Sequence, residues 1–129
     1  MTMQRQCTCE TPTVLIVDDD RRLRDTIAEL LSEDGYRVIV AEHGSRALER
    51  MRDQHVCMVL LDLMMPTKSG FQVLSELLGD PAMPRVPVGV ISALVTETPL
   101  GTVGVLHKPF DLDRLLALVH NHAGVPLHH

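Results

Sequence analysis

The sequence predicts an α/β fold in which a parallel sheet is covered on both faces by helices, and three observations predict it. Short runs of Val, Ile, Leu and Met alternate along the chain with segments whose apolar residues recur at helical spacing. The runs are continuous rather than alternating, as in strands buried on both faces. They also end on polar groups of different kinds, and a doubly wound sheet gathers its strand ends along one edge, where ligands bind.

Composition narrows the class. A chain of 129 residues is one domain, large enough for a real core. A formal net charge of −5 argues against the broad basic footprint of a nucleic-acid-binding domain, so contact with DNA would come through a partner. Two Phe, one Tyr and no Trp leave no stacking platform for bases, and the core must be aliphatic. No apolar run approaches the roughly eighteen residues of a membrane span, and residues 1–12 have neither the charged nor the apolar region of a secretion signal. A soluble cytoplasmic protein is expected. Cys7, Cys9 and Cys57 do not make a disulfide framework; Cys57 lies in an apolar run and reads as a small buried thiol of a reducing compartment. Cys7-Thr8-Cys9 lacks the second cysteine pair that a zinc site calls for.

Each element can be justified in turn. Residues 1–12 are polar and aperiodic and read as a disordered tail, with the folded domain over 13–124 and a second tail over 125–129. Val14 to Val17 make the first strand, which stops at Asp18, Asp19 and Asp20. Asp20 caps a first helix whose inner face is Leu23, Ile27, Leu30 and Leu31, with Gly35 as its stop. Arg37 to Ala41 form the second strand, and Ser45 is expected to cap a second helix burying Ala47, Leu48 and Met51. The third strand runs from Val56 to Asp62, with Pro66 four residues on. After a turn at Lys68-Ser69-Gly70, Phe71, Leu74, Leu77 and Leu78 mark a third helix ending near Gly79. Three prolines make residues 80–87 a loop. Val88 to Ser92 form the fourth strand and Val103 to His107 the fifth, before Lys108-Pro109. Asp111 is expected to cap a last helix with Leu112, Leu115, Leu116 and Val119 inward, finishing near Gly124. His120, His122, His128 and His129 read as a polar helix end and tail.

The strand ends carry the chemistry. Three acids at one strand end repel, and at about 4 Å each pair costs on the order of 4 kcal/mol at an effective dielectric of 20, so a cation is the simplest relief. Asp18, Asp19 and Asp62 make a hard-oxygen set suited to Mg²⁺. Ser92 can donate to a phosphoryl oxygen, and Lys108 supplies a point charge. Phosphoryl transfer needs mainly positioning and charge neutralisation, which this set supplies.

From about Val14 to His122 the sequence resembles the receiver domain of bacterial two-component response regulators. The resemblance rests on Val17-Asp18-Asp19-Asp20, Leu61-Asp62-Leu63-Met64-Met65-Pro66 with Gly70, Ile91-Ser92-Ala93 and Lys108-Pro109-Phe110, in this order and spacing. It implies a flavodoxin-like five-stranded sheet of order 2-1-3-4-5. It implies Asp62 as phosphoacceptor, charged by a histidine kinase or a histidine phosphotransfer protein. Asp19, Asp62 and the backbone carbonyl of Met64 would bind Mg²⁺ directly and Asp18 mostly through water. Ser92 and Lys108 would hold the phosphoryl oxygens, with space left by Ala93. A downstream effector or output domain would read the state, a homodimer being one form of readout. Such a domain assists its own phosphotransfer and slow dephosphorylation without being a conventional enzyme. Lys108 is one of two lysines against ten arginines, which makes chance placement before Pro109 a poor explanation.

The chain departs from the family pattern in three places. Fifteen residues separate Ser92 from Lys108, which leaves about nine for a crossover that normally takes a dozen or more, and Pro99 and Gly101 oppose a helix there. The fourth helix of the family is expected to be missing, a single turn, or disordered. Val105 stands where receivers usually carry an aromatic switch, and it lacks the reach to swap between outward and inward packing. Transmission through the face around the fifth strand is therefore expected to be atypical. Met64 and Leu94, two past Asp62 and Ser92, are apolar where polar groups orient an attacking water, which predicts slow self-dephosphorylation. The alternative is a receiver-like adapter that works without phosphate. An Asp-nucleophile phosphatase is disfavoured, because Met64 stands where such enzymes need a second acid.

Overall fold

The computed structural model describes residues 11–64, 70–94 and 97–126. Five strands, β1 (Thr13–Val17), β2 (Arg37–Ala41), β3 (Met58–Asp62), β4 (Val88–Ser92) and β5 (Gly104–His107), form one parallel sheet of order β2-β1-β3-β4-β5. The helices are α1 (Arg21–Glu33), α2 (Gly44–Asp53), α3 (Gly70–Gly79) and α4 (Leu112–Ala123). Period-two alternation sorts the strand residues between two cores. Leu15, Val17, Val59, Leu61, Val88 and Val90 meet α2 and α3, while Val14, Ile16, Met58, Leu60, Ile91 and Leu106 meet α1 and α4. Covering both faces is what makes the runs continuously apolar, and β1, β3 and β4 are buried along their whole length.

The helix ends match the expected chemistry in part. Asp20 caps α1, accepting from the amides of Arg22 and Leu23 at 3.0 and 3.3 Å, and Gly35 follows its end at a φ of 99°. Helix α2 is capped by His43 and not by Ser45: the His43 Nδ1 accepts from the Arg46 amide at 3.2 Å. Asp111 occupies the N-cap of α4, yet its side chain makes no capping hydrogen bond. In α3 the buried face is Gly70, Val73, Leu74 and Leu77, whereas Phe71 and Leu78 are 49% and 40% exposed. Those two lie seven residues apart and share one flank of the helix, beside the position where a further crossover helix would pack.

That helix is absent among the described residues. Between Ser92 and Gly104 the chain makes a turn instead, in which the Thr102 amide and hydroxyl both donate to the Pro99 carbonyl, at 3.1 and 2.6 Å. Gly101 sits in that turn at a φ of 86°, which a side chain would rarely adopt. The expected shortening of the crossover is therefore what the fold has, with residues 95 and 96 lying outside the described residues.

Three further contacts were not legible as motifs. The Tyr36 hydroxyl donates to the Gly124 carbonyl, and the His120 ring stacks on Tyr36 with centroids 6.0 Å apart. His120 Nε2 also meets Asp34 Oδ2 at 2.5 Å, so the end of α1, the start of β2 and the end of α4 are tied together. Burial, with the Asp34 charge, pushes the Tyr36 hydroxyl well above its usual range. Cys57 is buried as expected but is disulfide-bonded rather than the thiol the sequence suggests. Of the expected N-terminal tail, residues 1–10 lie outside the described residues, and Pro12 is buried with its carbonyl accepting from the Arg37 amide at 3.0 Å.

Gly89 and Gly104 face each other across β4 and β5, beneath Leu118 of α4. A Cβ on Gly89 would stand 3.0 Å from Leu118, 3.1 Å from Met58 and 3.2 Å from Leu60. Strand propensity alone would favour Gly89→Val by up to about 1 kcal/mol, whereas overpacking costs about 1–3 kcal/mol. Denaturant unfolding is expected to show the variant destabilised; a gain in stability would mean that α4 does not need this close approach.

Candidate functional site

The carboxyl ends of the strands are fixed by hydrogen bonds that run one residue past the sheet. The Asp18 amide donates to Ala41 O at 3.2 Å, Leu63 N to Ile91 O at 3.1 Å, and Lys108 N to Ser92 O at 2.8 Å. The ladder thus holds the residues that carry the polar side chains, and those side chains converge. Lys108 Nζ lies 3.4 Å from Asp62 Oδ2 and 3.8 Å from Asp18 Oδ2. Asp18, Asp19 and Asp62 each bring a carboxylate oxygen within 4.8 Å of the others.

Asp18 and Asp62 are held in the same manner. Asp18 Oδ1 accepts from the Asp20 amide at 2.8 Å, and Asp62 Oδ1 accepts from the Met64 amide at 2.9 Å. In each case the second oxygen is left facing Lys108. Arg24 Nη1 adds a bond to the Asp18 carbonyl at 2.9 Å, which ties α1 to the same rim. Asp18, Asp62 and Ser92 are buried, while Asp19 is exposed at the mouth. The Ser92 hydroxyl accepts from the Leu94 amide at 3.1 Å and so caps the end of its own strand. A hydroxyl that accepts can also donate, and the capping bond orients it without using its proton. Ala93, Met64 and Leu94 are exposed around this group.

Gly70, the first residue of α3, explains how β3 and that helix fit. A Cβ there would lie 2.3 Å from the Asp62 carbonyl oxygen and 2.4 Å from Leu63 Cα, and the Gly70 amide donates to Leu63 O at 3.1 Å. The glycine after Pro66 is thus a close backbone approach directly behind Asp62.

The electrostatics follow from burial. Two carboxylates about 5 Å apart repel by roughly 3 kcal/mol at an effective dielectric of 20, and a single ammonium offsets only part of this. Burial pushes the Asp18 carboxyl up to about 6, with the Asp62 charge adding to it and the Asp20 amide and Lys108 pulling the other way. Asp18 Oδ2 is buried without a hydrogen-bond partner. An orphaned carboxylate oxygen beside two further carboxylates is the donor set a small hard cation takes, so the residues present fit Mg²⁺.

Comparison with known proteins agrees with this layout. The chain belongs to the response regulator receiver domain family, which it matches over residues 14–120. It is 42% identical over 105 residues to response regulator RR06 of Streptococcus pneumoniae serotype 2 (strain D39 / NCTC 7466), covering 77% of this chain and 47% of that protein. The receiver domain of the Francisella response regulator 1452 superposes with a TM-score of 0.78 at 31% identity, covering 86% of this chain and 95% of the other. TrrA of Thermotoga maritima, solved in complex with Mg²⁺ and BeF, gives a TM-score of 0.77 at 27% identity over 86% of this chain and 98% of that one. The chain spans about half the length of the curated relatives it matches. It is a receiver domain of the two-component phosphorelay type, and no helix among the described residues is long and apolar enough to cross a membrane.

Two outcomes test the site. The folded-state value of Asp18 lies above its ordinary 3.8, so this group favours folding most below pH about 4, and that contribution is lost as pH rises through about 6. In EDTA at pH 7.5, Asp18→Asn is therefore expected to be more stable than wild type by roughly 1–3 kcal/mol, with the gap closing toward pH 4. Saturating Mg²⁺ should reverse the order, because the ion takes the carboxylate form. Urea unfolding at the two pH values reads this, and a variant no more stable at pH 7.5 would contradict the buried charge. Gly70→Ala is expected to lose about 2 kcal/mol or more through the backbone clash, although alanine gains about 1 kcal/mol of helix propensity. A neutral result would show that Asp62 is not braced from behind.

Proposed function

We propose that Asp62 accepts a phosphoryl group from the phosphohistidine of a histidine kinase or histidine phosphotransfer protein. An Asp62 oxygen forms the new O–P bond as the P–N bond of the donor breaks. The observation that carries this reading is the buried pair of carboxylates sharing the Lys108 ammonium, with Asp18 Oδ2 left for a cation. Asp19 and Asp62 would hold Mg²⁺ with the Met64 carbonyl, and Asp18 mostly through water. When bound, the ion neutralises charge on the transferring group. Lys108 moves from bridging two carboxylates to pairing with a phosphoryl oxygen, and the Ser92 hydroxyl donates to another. The setting is the cytoplasm, with no direct contact to nucleic acid by this chain.

The output is atypical in this reading. Val105 is half-buried and packs into the core beneath α3, with no ring to rotate inward. Among the described residues the segment after Ser92 holds a turn and no helix, so the usual contact surface beside β5 lacks one of its three parts there. A partner domain or effector protein would read the change in residues 92–110 directly. The convergence of Lys108 on Asp18 and Asp62 supports this reading over a phosphate-free adapter.

A phosphate-affinity gel with acetyl phosphate and Mg²⁺ is expected to retard the wild type and not Asp62→Asn. Lys108→Ala should reduce the retarded fraction at least about tenfold. Retardation of Asp62→Asn would move the acceptor elsewhere. The labelled protein also checks the two departures. Its mass by light scattering should stay that of the unlabelled form, and the label should persist for minutes, since exposed, apolar Met64 and Leu94 orient no water. A dimer through β5 and α4, or a half-life of seconds, would contradict these respective points.

A further inference from the structure

Helix α1 reaches back to the strand ends through a side chain that the acids, Ser92 and Lys108 leave out of account. Arg24 is half-buried, and its Nη1 donates to the Asp18 carbonyl at 2.9 Å. Among the described residues no carboxylate forms an ion pair with it; Glu42, one residue past β2, pairs instead with His43 and Arg46, each at 3.7 Å. Arg24 Nε is buried without a hydrogen-bond partner. A guanidinium kept with one donor unsatisfied and no carboxylate to balance it is costly, so its contribution lies in the one bond it does make.

That bond falls on the peptide that leads into Asp19. Asp18 and Asp62 are buried, and each is turned by an amide that donates to its own side chain. Asp19 is exposed at the mouth, and its direction depends on the two peptide planes that flank it. The Asp18–Asp19 plane is held by its carbonyl, through Arg24, and the Asp19–Asp20 plane by its N–H, which donates to Asp18 Oδ1 at 2.8 Å. Rotation of either plane swings the Cα–Cβ bond of Asp19. Its carboxylate would then leave the position where one oxygen lies within 4.8 Å of oxygens of Asp18 and Asp62.

We propose that Arg24 is a positioning residue for the Mg²⁺ site: by fixing the Asp18–Asp19 peptide plane it aims the Asp19 carboxylate at the centre shared with Asp18 and Asp62. The inference rests on the cation site of the proposed function and adds a residue that acts through Asp19. Arg24 also carries a positive charge, which by itself opposes a divalent cation nearby. Orientation and charge thus push Mg²⁺ affinity in opposite directions, and the sign of the change on removing Arg24 tells which of them it contributes. Residues that orient a metal ligand are typically worth about 10–100-fold in affinity.

The test is Mg²⁺ affinity by amide-resolved NMR on the full chain, with urea unfolding to establish that each variant is folded under the conditions used. Arg24→Met, which keeps the aliphatic stem and loses both charge and donor, should bind Mg²⁺ about tenfold or more weakly than wild type. Arg24→Gln, too short to reach the Asp18 carbonyl, should show the same loss and takes the place of Arg24→Met if that variant does not fold. On an Asp19→Asn background either substitution should change the affinity by less than about twofold, because the carboxylate it aims is gone. A general loosening of α1 would instead weaken binding equally with and without that carboxylate. Affinity equal to or tighter than wild type in the Arg24 variants, or the full loss persisting on the Asp19→Asn background, would overturn the proposal. Absence of a saturable Mg²⁺ site in wild type would overturn the phosphoacceptor reading with it, whereas a wild-type site that is indifferent to Arg24 removes this inference alone.

Discussion

Two carboxylates taken out of water beside one ammonium set the terms for the rest of the structure. Asp18 and Asp62 come from neighbouring parallel strands, and Lys108 comes from the far edge of the sheet, so the pair and its counter-charge meet only when β1, β3, β4 and β5 are in register. The arrangement is unfavourable in itself: burial raises the Asp18 carboxyl and one of its oxygens has no partner. What the fold loses in stability there, a bound divalent cation would return by supplying the missing positive charge. The backbone amides of Asp20 and Met64 turn each carboxylate toward the shared centre.

The remainder of the fold is rigid where the site needs it and reduced where the family usually transmits. Both faces of β1, β3 and β4 are sealed by aliphatic side chains, and Gly70 lets α3 press against the backbone of Asp62 itself. Beside β5 the chain substitutes a glycine turn for a helix, leaving Phe71, Leu78, Leu94 and Leu100 exposed around it. In the function proposed above, a site so closely braced, joined to a surface so altered, would separate receiving the phosphoryl group from reporting it.

Much of this was legible because it rests on local rules. Continuous apolar runs gave the strands, and the acids, Ser92 and Lys108 at their ends located the rim before any distance was known. The shortened crossover could be read from Pro99, Gly101 and the residue count alone. What escaped depended on tertiary neighbours. His43 outcompetes Ser45 as a cap because its ring reaches the Arg46 amide, and Phe71 lies half-exposed on α3 although it falls at helical spacing with the buried Leu74. The link from Asp34 through His120 and Tyr36 to Gly124 joins residues nearly ninety positions apart, which no spacing in the sequence announces. Cys57 looked like an ordinary core thiol, since nothing local to an apolar run marks a covalent partner.

The account's central claim is that the strand ends build one cation-dependent centre around Asp62. Amide-resolved NMR during a Mg²⁺ titration tests it most directly. The account predicts a single saturable process with the largest shifts at Asp18, Asp19, Asp62 and Met64, abolished by Asp62→Asn. Small, unsaturating shifts spread over the acidic surface, or unchanged binding in that variant, would contradict it.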